Sequence, residues 1–153
     1  MSEMNGTSHM PGDDIRSLPV FPRLDEIARV LRETRTLLLT AEPGAGKTTL
    51  VPWKLIQDHG TGSGKILLLQ PRRVAARAAA ERIAALLGEQ LGATVGLRTR
   101  LETVVSASTR LDVVTEGVLV RIIQNDQALG GYGTVIFDEF HERNLPGDLA
   151  LAL

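Results

Sequence analysis

Two short segments carry residue types able to act on a phosphate group. The first is Glu42-Pro43-Gly44-Ala45-Gly46-Lys47-Thr48-Thr49, placed between the apolar run Thr36–Ala41 and a helical pattern. A loop that holds phosphate must aim backbone N–H groups at its oxygens, in conformations a Cβ obstructs, and Gly44 and Gly46 meet that need. A helix starting near Lys47 adds its unpaired N–H groups and the positive end of its dipole. In such a loop Lys47 reaches the β- and γ-phosphates and the Thr48 hydroxyl ligates Mg²⁺, with Ala45 and Thr49 completing the cradle. The general P-loop pattern has a glycine five positions before the Gly-Lys pair, where this chain has Ala41. A glycine-rich turn capping an ordinary helix is the plainer alternative, but the strand-loop-helix context favours the phosphate reading.

The second segment is Asp138-Glu139-Phe140-His141-Glu142-Arg143, which follows the apolar run Thr134–Asp138. Adjacent carboxylates at a strand end can divide two tasks: Asp138 holds Mg²⁺, directly or through water, and Glu139 orients and deprotonates an attacking water. Many strands end in solvated acids, so this pair alone says little. Paired with the glycine loop, it completes a Mg-nucleotide site. Zinc chemistry is not indicated, since His141-Glu142 has no second histidine four residues on, and His9 and His59 lie in unrelated contexts.

Other elements must bring these segments together. Apolar residues Leu24, Ile27, Ala28, Val30 and Leu31 form one stripe of a helix entered after Pro22. Strands are expected at Thr36–Ala41, Lys65–Gln70, Thr94–Arg98, Leu111–Thr115 and Thr134–Asp138. Helices are expected at Lys47–Asp58, Arg72–Leu87 and Gly117–Asn125. Several strands are apolar throughout, as in a parallel sheet covered on both faces. Alternation at this spacing predicts an α/β doubly wound domain whose ligands bind beyond the carboxyl ends of its strands.

Composition agrees. The chain has 153 residues, 17 basic against 18 acidic for a net charge of −1, and 43% hydrophobic but only 3% aromatic residues. Leu, Ile, Val and Ala must therefore build the core of one globular domain. With no cysteine there is no disulfide framework or thiolate chemistry, and a reducing, cytoplasm-like compartment is the expectation. No apolar stretch approaches the roughly 20 residues of a membrane span, so no membrane partner is expected. Residues 1–17 are polar and aperiodic and read as a disordered leader, with possible vector-derived residues at Ser8-His9-Met10; the fold is placed at 18–153. The Asn5-Gly6-Thr7 sequon is taken as coincidence.

GAGKTT, QPRRVAARAAAERIA, TRLDVVTEGVL and VIFDEFHER, in that order, resemble motifs I, Ia, Ib and II of the DExH/DEAH-box helicases of superfamily 2. Their wording is most similar to the bacterial HrpB-type ATP-dependent helicases. The resemblance spans residues 18–153 and implies a RecA-like P-loop NTPase, a three-layer sandwich with a mostly parallel sheet. It implies ATP and Mg²⁺ as cofactors, with Lys47 and Thr48 on phosphates and metal, Asp138 on the metal and Glu139 on the hydrolytic water. It further implies that His141 couples the nucleotide to a second helicase domain and that Arg82 stacks on adenine. Pro71, Arg72, Arg73, Thr115, Glu116 and Gly117 would face a nucleic-acid backbone. Phe140 stands where a strict DEAH box has alanine.

Charge is distributed accordingly. Residues 65–100 hold seven basic side chains against two acidic ones, and residues 101–153 hold three against eight. Such a strip suits backbone phosphates, while the scarcity of aromatics argues against base stacking. Arg77 can be read equally as a phosphate contact or as the solvated face of an alanine-rich helix. RNA and DNA are not distinguished.

Helicases of this superfamily place ATP between two RecA-like domains, and the second supplies an arginine finger. The chain stops after motif II, so it is expected to bind ATP but to hydrolyse it slowly and unwind nothing. In P-loop proteins with a catalytic glutamate beside the metal-binding aspartate, the next strand usually inserts between the two motif-bearing strands. The sheet is therefore expected to have a gap at its centre, left by a strand beyond the C-terminus, and the chain to be marginally stable. Two other functions compete: a small-molecule kinase, whose acceptor and lid arginines are not recognisable, and a non-catalytic nucleotide-binding or interaction module.

Overall fold

Residues 15–58 and 64–139 are described in a computed structural model of the chain. The apolar runs at Lys65–Gln70 (β1), Leu111–Thr115 (β4) and Tyr132–Phe137 (β5) lie side by side, because each has side chains that need cover on both faces. β1 pairs in parallel with β4, placing Gln70 opposite Thr115, and with β5, placing Leu69 opposite Phe137. Val95–Arg98 (β2) runs parallel to β4, and the two-residue Thr103–Val104 (β3) turns back antiparallel on β2. The resulting order is β3-β2-β4-β1-β5.

Successive strand residues point to opposite faces, and the core divides accordingly. Ile66, Leu68, Leu111 and Val113 bury against Leu55 and Ile56 of helix α2 (Lys47–Gln57) and against Ala76, Ala80 and Ile83 of α3 (Arg73–Leu86). Leu67, Leu69 and Val114 bury against Leu119 and Ile123 of α4 (Glu116–Asn125) on the other face. Three layers result, helices over both faces of a mostly parallel sheet, as the resemblance implied. The run of alanines in α3 lets that helix sit close to the sheet.

The helix expected after Pro22 forms at Leu24–Thr34 (α1), and its Leu24 and Ile27 join Ile15, Val20 and Leu50 in a separate apolar cluster. Ile15 is only 8% exposed, so ordered packing begins three residues before the position read as the start of the fold. The leader proper, residues 1–14, lies outside the described residues.

Two expectations are corrected. Thr36–Ala41 forms no strand: it has no sheet partner among the described residues, and Leu38 is 81% exposed. An apolar run becomes a strand only where a neighbour accepts its backbone groups, and β5, at the sheet edge, pairs with β1 alone among the described residues. The short β3 was not anticipated, since two residues carry no periodicity. Smaller shifts have local causes. Thr94 stands just outside β2, its N–H and hydroxyl both donating to the Glu89 carboxylate at 3.0 Å.

Candidate functional site

Parallel strands deliver their carboxyl ends to one edge of the sheet, and the chemistry-bearing residues gather there. Gln70 ends β1, Thr115 ends β4, and Asp138 follows β5 with its N–H donating to the Leu69 carbonyl at 3.2 Å. The glycine loop faces them. Gly44 and Gly46 both lie in the left-handed region, at φ 79° and 92°. A Cβ on Gly46 would stand 2.9 Å from Leu18 Cδ1. The Val20 N–H donates to the Ala45 carbonyl at 3.1 Å, so the N-terminal segment props the loop from behind.

Helix α2 starts directly from Gly46 with no side chain capping it, so its first N–H groups are directed at whatever sits in the loop. The Thr48 hydroxyl donates to Asp138 Oδ2 at 2.6 Å, joining two residues 90 positions apart. Gln70 Nε2 donates to that same oxygen at 2.6 Å. Lys47 Nζ donates to the Ala41 carbonyl at 3.2 Å, and the Thr49 hydroxyl to the Gly46 carbonyl at 3.5 Å. Glu139 lies beside Asp138 in the left-handed region at φ 55°, an unfavourable conformation for a residue with a Cβ, of the kind that concentrates at functional sites. Thr48 and Asp138 supply hard oxygen donors, the type a magnesium ion takes alongside phosphate and water.

A cleft of about 620 Å³ runs from Thr48 and Asp138 past Gln70 and Arg72 to Arg82 on α3. Arg82 thus lines the same space as the loop and the acid pair, although it lies nine positions along the helix from Arg73. Pro71, Arg72 and Arg73 lead from β1 into α3, with both arginines exposed. Thr115, Glu116 and Gly117 lead from the adjacent β4 into α4, so the two segments emerge side by side. Arg100 joins them unforeseen: a Cβ on Gly117 would lie 3.3 Å from its Cδ. His141 and Phe140 lie outside the described residues.

For Arg77 the open question closes. Its guanidinium is paired with Glu102 and, at 2.9 Å, with Glu81, and the Glu102 carboxylate holds its pKa above the usual value. It ties α3 to the β2–β3 turn. Sequence reasoning also missed Gln70, whose only signal is a polar residue closing an apolar strand directly before a proline. Asp112 was missed as well. It is 1% exposed within β4, accepts the Tyr132 hydroxyl at 2.9 Å, and pairs with Arg98 at 3.3 Å and Lys65 at 3.7 Å.

A mostly parallel three-layer sheet with a glycine loop and an acidic strand end at one edge defines a RecA-like α/β domain. The chain belongs to the DEAD/DEAH box helicase family, whose profile matches residues 24–145. It is 54% identical over 137 residues to the ATP-dependent RNA helicase HrpB of Escherichia coli (strain K12), which covers 90% of this chain and 17% of that protein. It is 42% identical over 136 residues to an ATP-dependent RNA helicase HrpA homolog of Haemophilus influenzae, covering 88% and 10% respectively. A crystal structure of the Escherichia coli DEAH/RHA helicase HrpB superposes with a TM-score of 0.83, over 89% of this chain and 17% of that one. The chain thus spans less than a fifth of the length of these relatives.

Proposed function

We propose that this chain forms the ATP-binding and ATP-hydrolysing part of an ATP-dependent RNA helicase that couples hydrolysis to movement on, or unwinding of, nucleic acid. The observation that carries the reading is the 2.6 Å contact between the Thr48 hydroxyl and Asp138, at the mouth of a glycine loop and beside Glu139. The names of the relatives favour RNA over DNA as the nucleic acid.

In this reading Gly44, Ala45, Gly46 and Thr49 cradle the phosphates with backbone N–H groups, and Lys47 swings from the Ala41 carbonyl onto the terminal phosphates. Thr48 and Asp138 would hold Mg²⁺, which when bound would neutralise charge on the phosphates. Glu139 orients the attacking water and accepts its proton. Arg82 stacks on the adenine from the far end of the cleft. Pro71, Arg72 and Arg73, with Thr115, Glu116 and Gly117, hold the sugar-phosphate backbone. His141 couples the nucleotide to a second RecA-like domain, which supplies an arginine finger. No helix among the described residues is long and apolar enough to cross a membrane, and a cytoplasmic location is part of the proposal.

The test compares ATP turnover with and without single-stranded RNA, for the wild-type full-length protein, Glu139→Gln and Lys47→Ala. RNA should stimulate the wild type. Glu139→Gln should bind ATP yet lose turnover by about 100-fold or more, the usual scale for a general base. Lys47→Ala should lose nucleotide affinity. Wild-type turnover in Glu139→Gln would refute the base role of Glu139, no turnover in the wild type would leave a nucleotide-binding module instead, and unchanged ATP affinity in Lys47→Ala would refute the phosphate role.

A further inference from the structure

Gln70 has no role in the site as assembled from the sequence, yet it is the most deeply buried polar side chain in it, at 2% exposure. Its Nε2 donates to Asp138 Oδ2 at 2.6 Å, and that oxygen also accepts the Thr48 hydroxyl at 2.6 Å. The amide can present only its N–H edge there, because its oxygen would face a carboxylate. With the Asp138 N–H held by the Leu69 carbonyl at 3.2 Å, the carboxylate is fixed at both its backbone and its tip.

Along the backbone, Gln70 adjoins the segments proposed to meet nucleic acid. It is bonded directly to Pro71, the first residue of Pro71–Arg73, and it stands opposite Thr115 across the β1–β4 ladder. A residue before proline is confined to extended backbone. Gln70 is therefore ill-suited to form a helical turn that would absorb a displacement at Pro71.

We infer that Gln70 is a positioning residue that fixes Asp138 Oδ2 for metal binding and links that oxygen to the segments that meet nucleic acid. The inference rests on the proposed roles of Thr48, Asp138 and Pro71–Arg73. It is tested in the full-length protein with Gln70→Met, which keeps length and volume but removes the donor, and with Gln70→Ala. Three quantities are read: affinity for fluorescent ADP without metal, Mn²⁺ binding to the ADP-loaded protein by its electron paramagnetic resonance signal, and RNA stimulation of ATP turnover.

Metal-free ADP affinity should stay at the wild-type value, since the loop and Lys47 set it. Mn²⁺ affinity should fall by about tenfold, the scale of one hydrogen bond to a charged group, and RNA stimulation should fall with it. Wild-type Mn²⁺ affinity in Gln70→Met overturns the inference. Weakened Mn²⁺ binding with undiminished RNA stimulation overturns the link to nucleic acid. A parallel loss of metal-free ADP affinity makes Gln70 a packing residue and overturns both parts. Failure of the wild-type protein to bind Mn²⁺ with ADP would instead remove the metal-site reading itself.

Discussion

Gly46 shows how much a single position can depend on its surroundings. Its φ of 92° already disfavours any side chain, and a Cβ there would also meet Leu18 Cδ1 at 2.9 Å and Leu50 Cδ1 at 3.2 Å. Gly44, at φ 79°, has open space around it and needs only the backbone freedom. Gly46→Ala should therefore lower the melting temperature and weaken ADP binding by about tenfold or more, since strain of this kind costs about 1–3 kcal/mol. Thermal melting and a fluorescent-ADP titration check it, and an unaltered affinity would show that the loop relaxes without loss. That the loop needs glycine was legible in the sequence, because the requirement is local. That Leu18, 28 positions upstream, blocks one glycine and not the other was not. Arg77 makes the same point: an alanine-rich helix with scattered arginines reads alike whether they meet phosphate or carboxylate, and Glu102, 25 positions on, decides.

Among the elements, β5 is tied to the sheet by more than its ladder to β1. The Tyr132 hydroxyl reaches past β1 to the buried Asp112 carboxylate in β4, which Arg98 of β2 and Lys65 of β1 also approach. Tyr132→Phe keeps the ring and removes a donor from a buried charge. Urea unfolding should show a loss of about 1–3 kcal/mol, the penalty for leaving such a group short of a partner. Burial first, and then Asp112, raise the phenol pKa above its ordinary value. Because the folded value is the higher one, the stabilisation is complete below the unfolded value of about 10 and is lost as pH rises beyond it. Wild-type stability should thus decline above about pH 10 more steeply than that of Tyr132→Phe. Periodicity located β1, β4, α2, α3 and α4 nearly to the residue, because amphipathic and apolar runs report burial directly. It passed over Asp112, since an acid inside a strand gives no hint of the partners that three other strands bring to it.

For the molecule as a whole, β5 is the last strand on its side of the sheet among the described residues, and the apolar run Thr36–Ala41 leads into the glycine loop with no strand beside it among them. Leu38 is left 81% exposed and Leu37 36%. An unpaired strand edge and an uncovered apolar run are both unfavourable in water. Leu38→Ser, which removes apolar surface from that exposed run, should leave the melting temperature unchanged or raise it slightly, and a clear drop in thermal melting would count against the exposure of Leu38. The sequence by itself determined the layered α/β class, the order of its elements, and the glycine loop and acid pair, because each is written in local spacing and in what glycine, lysine and carboxylates can do. Only the tertiary structure decided that Thr48, Gln70 and Asp138 share one oxygen, that Arg77 is spent on Glu81 and Glu102, and that Thr36–Ala41 stays out of the sheet. Those outcomes depend on which distant segments become neighbours, and strand register and pairing are not encoded in any one segment.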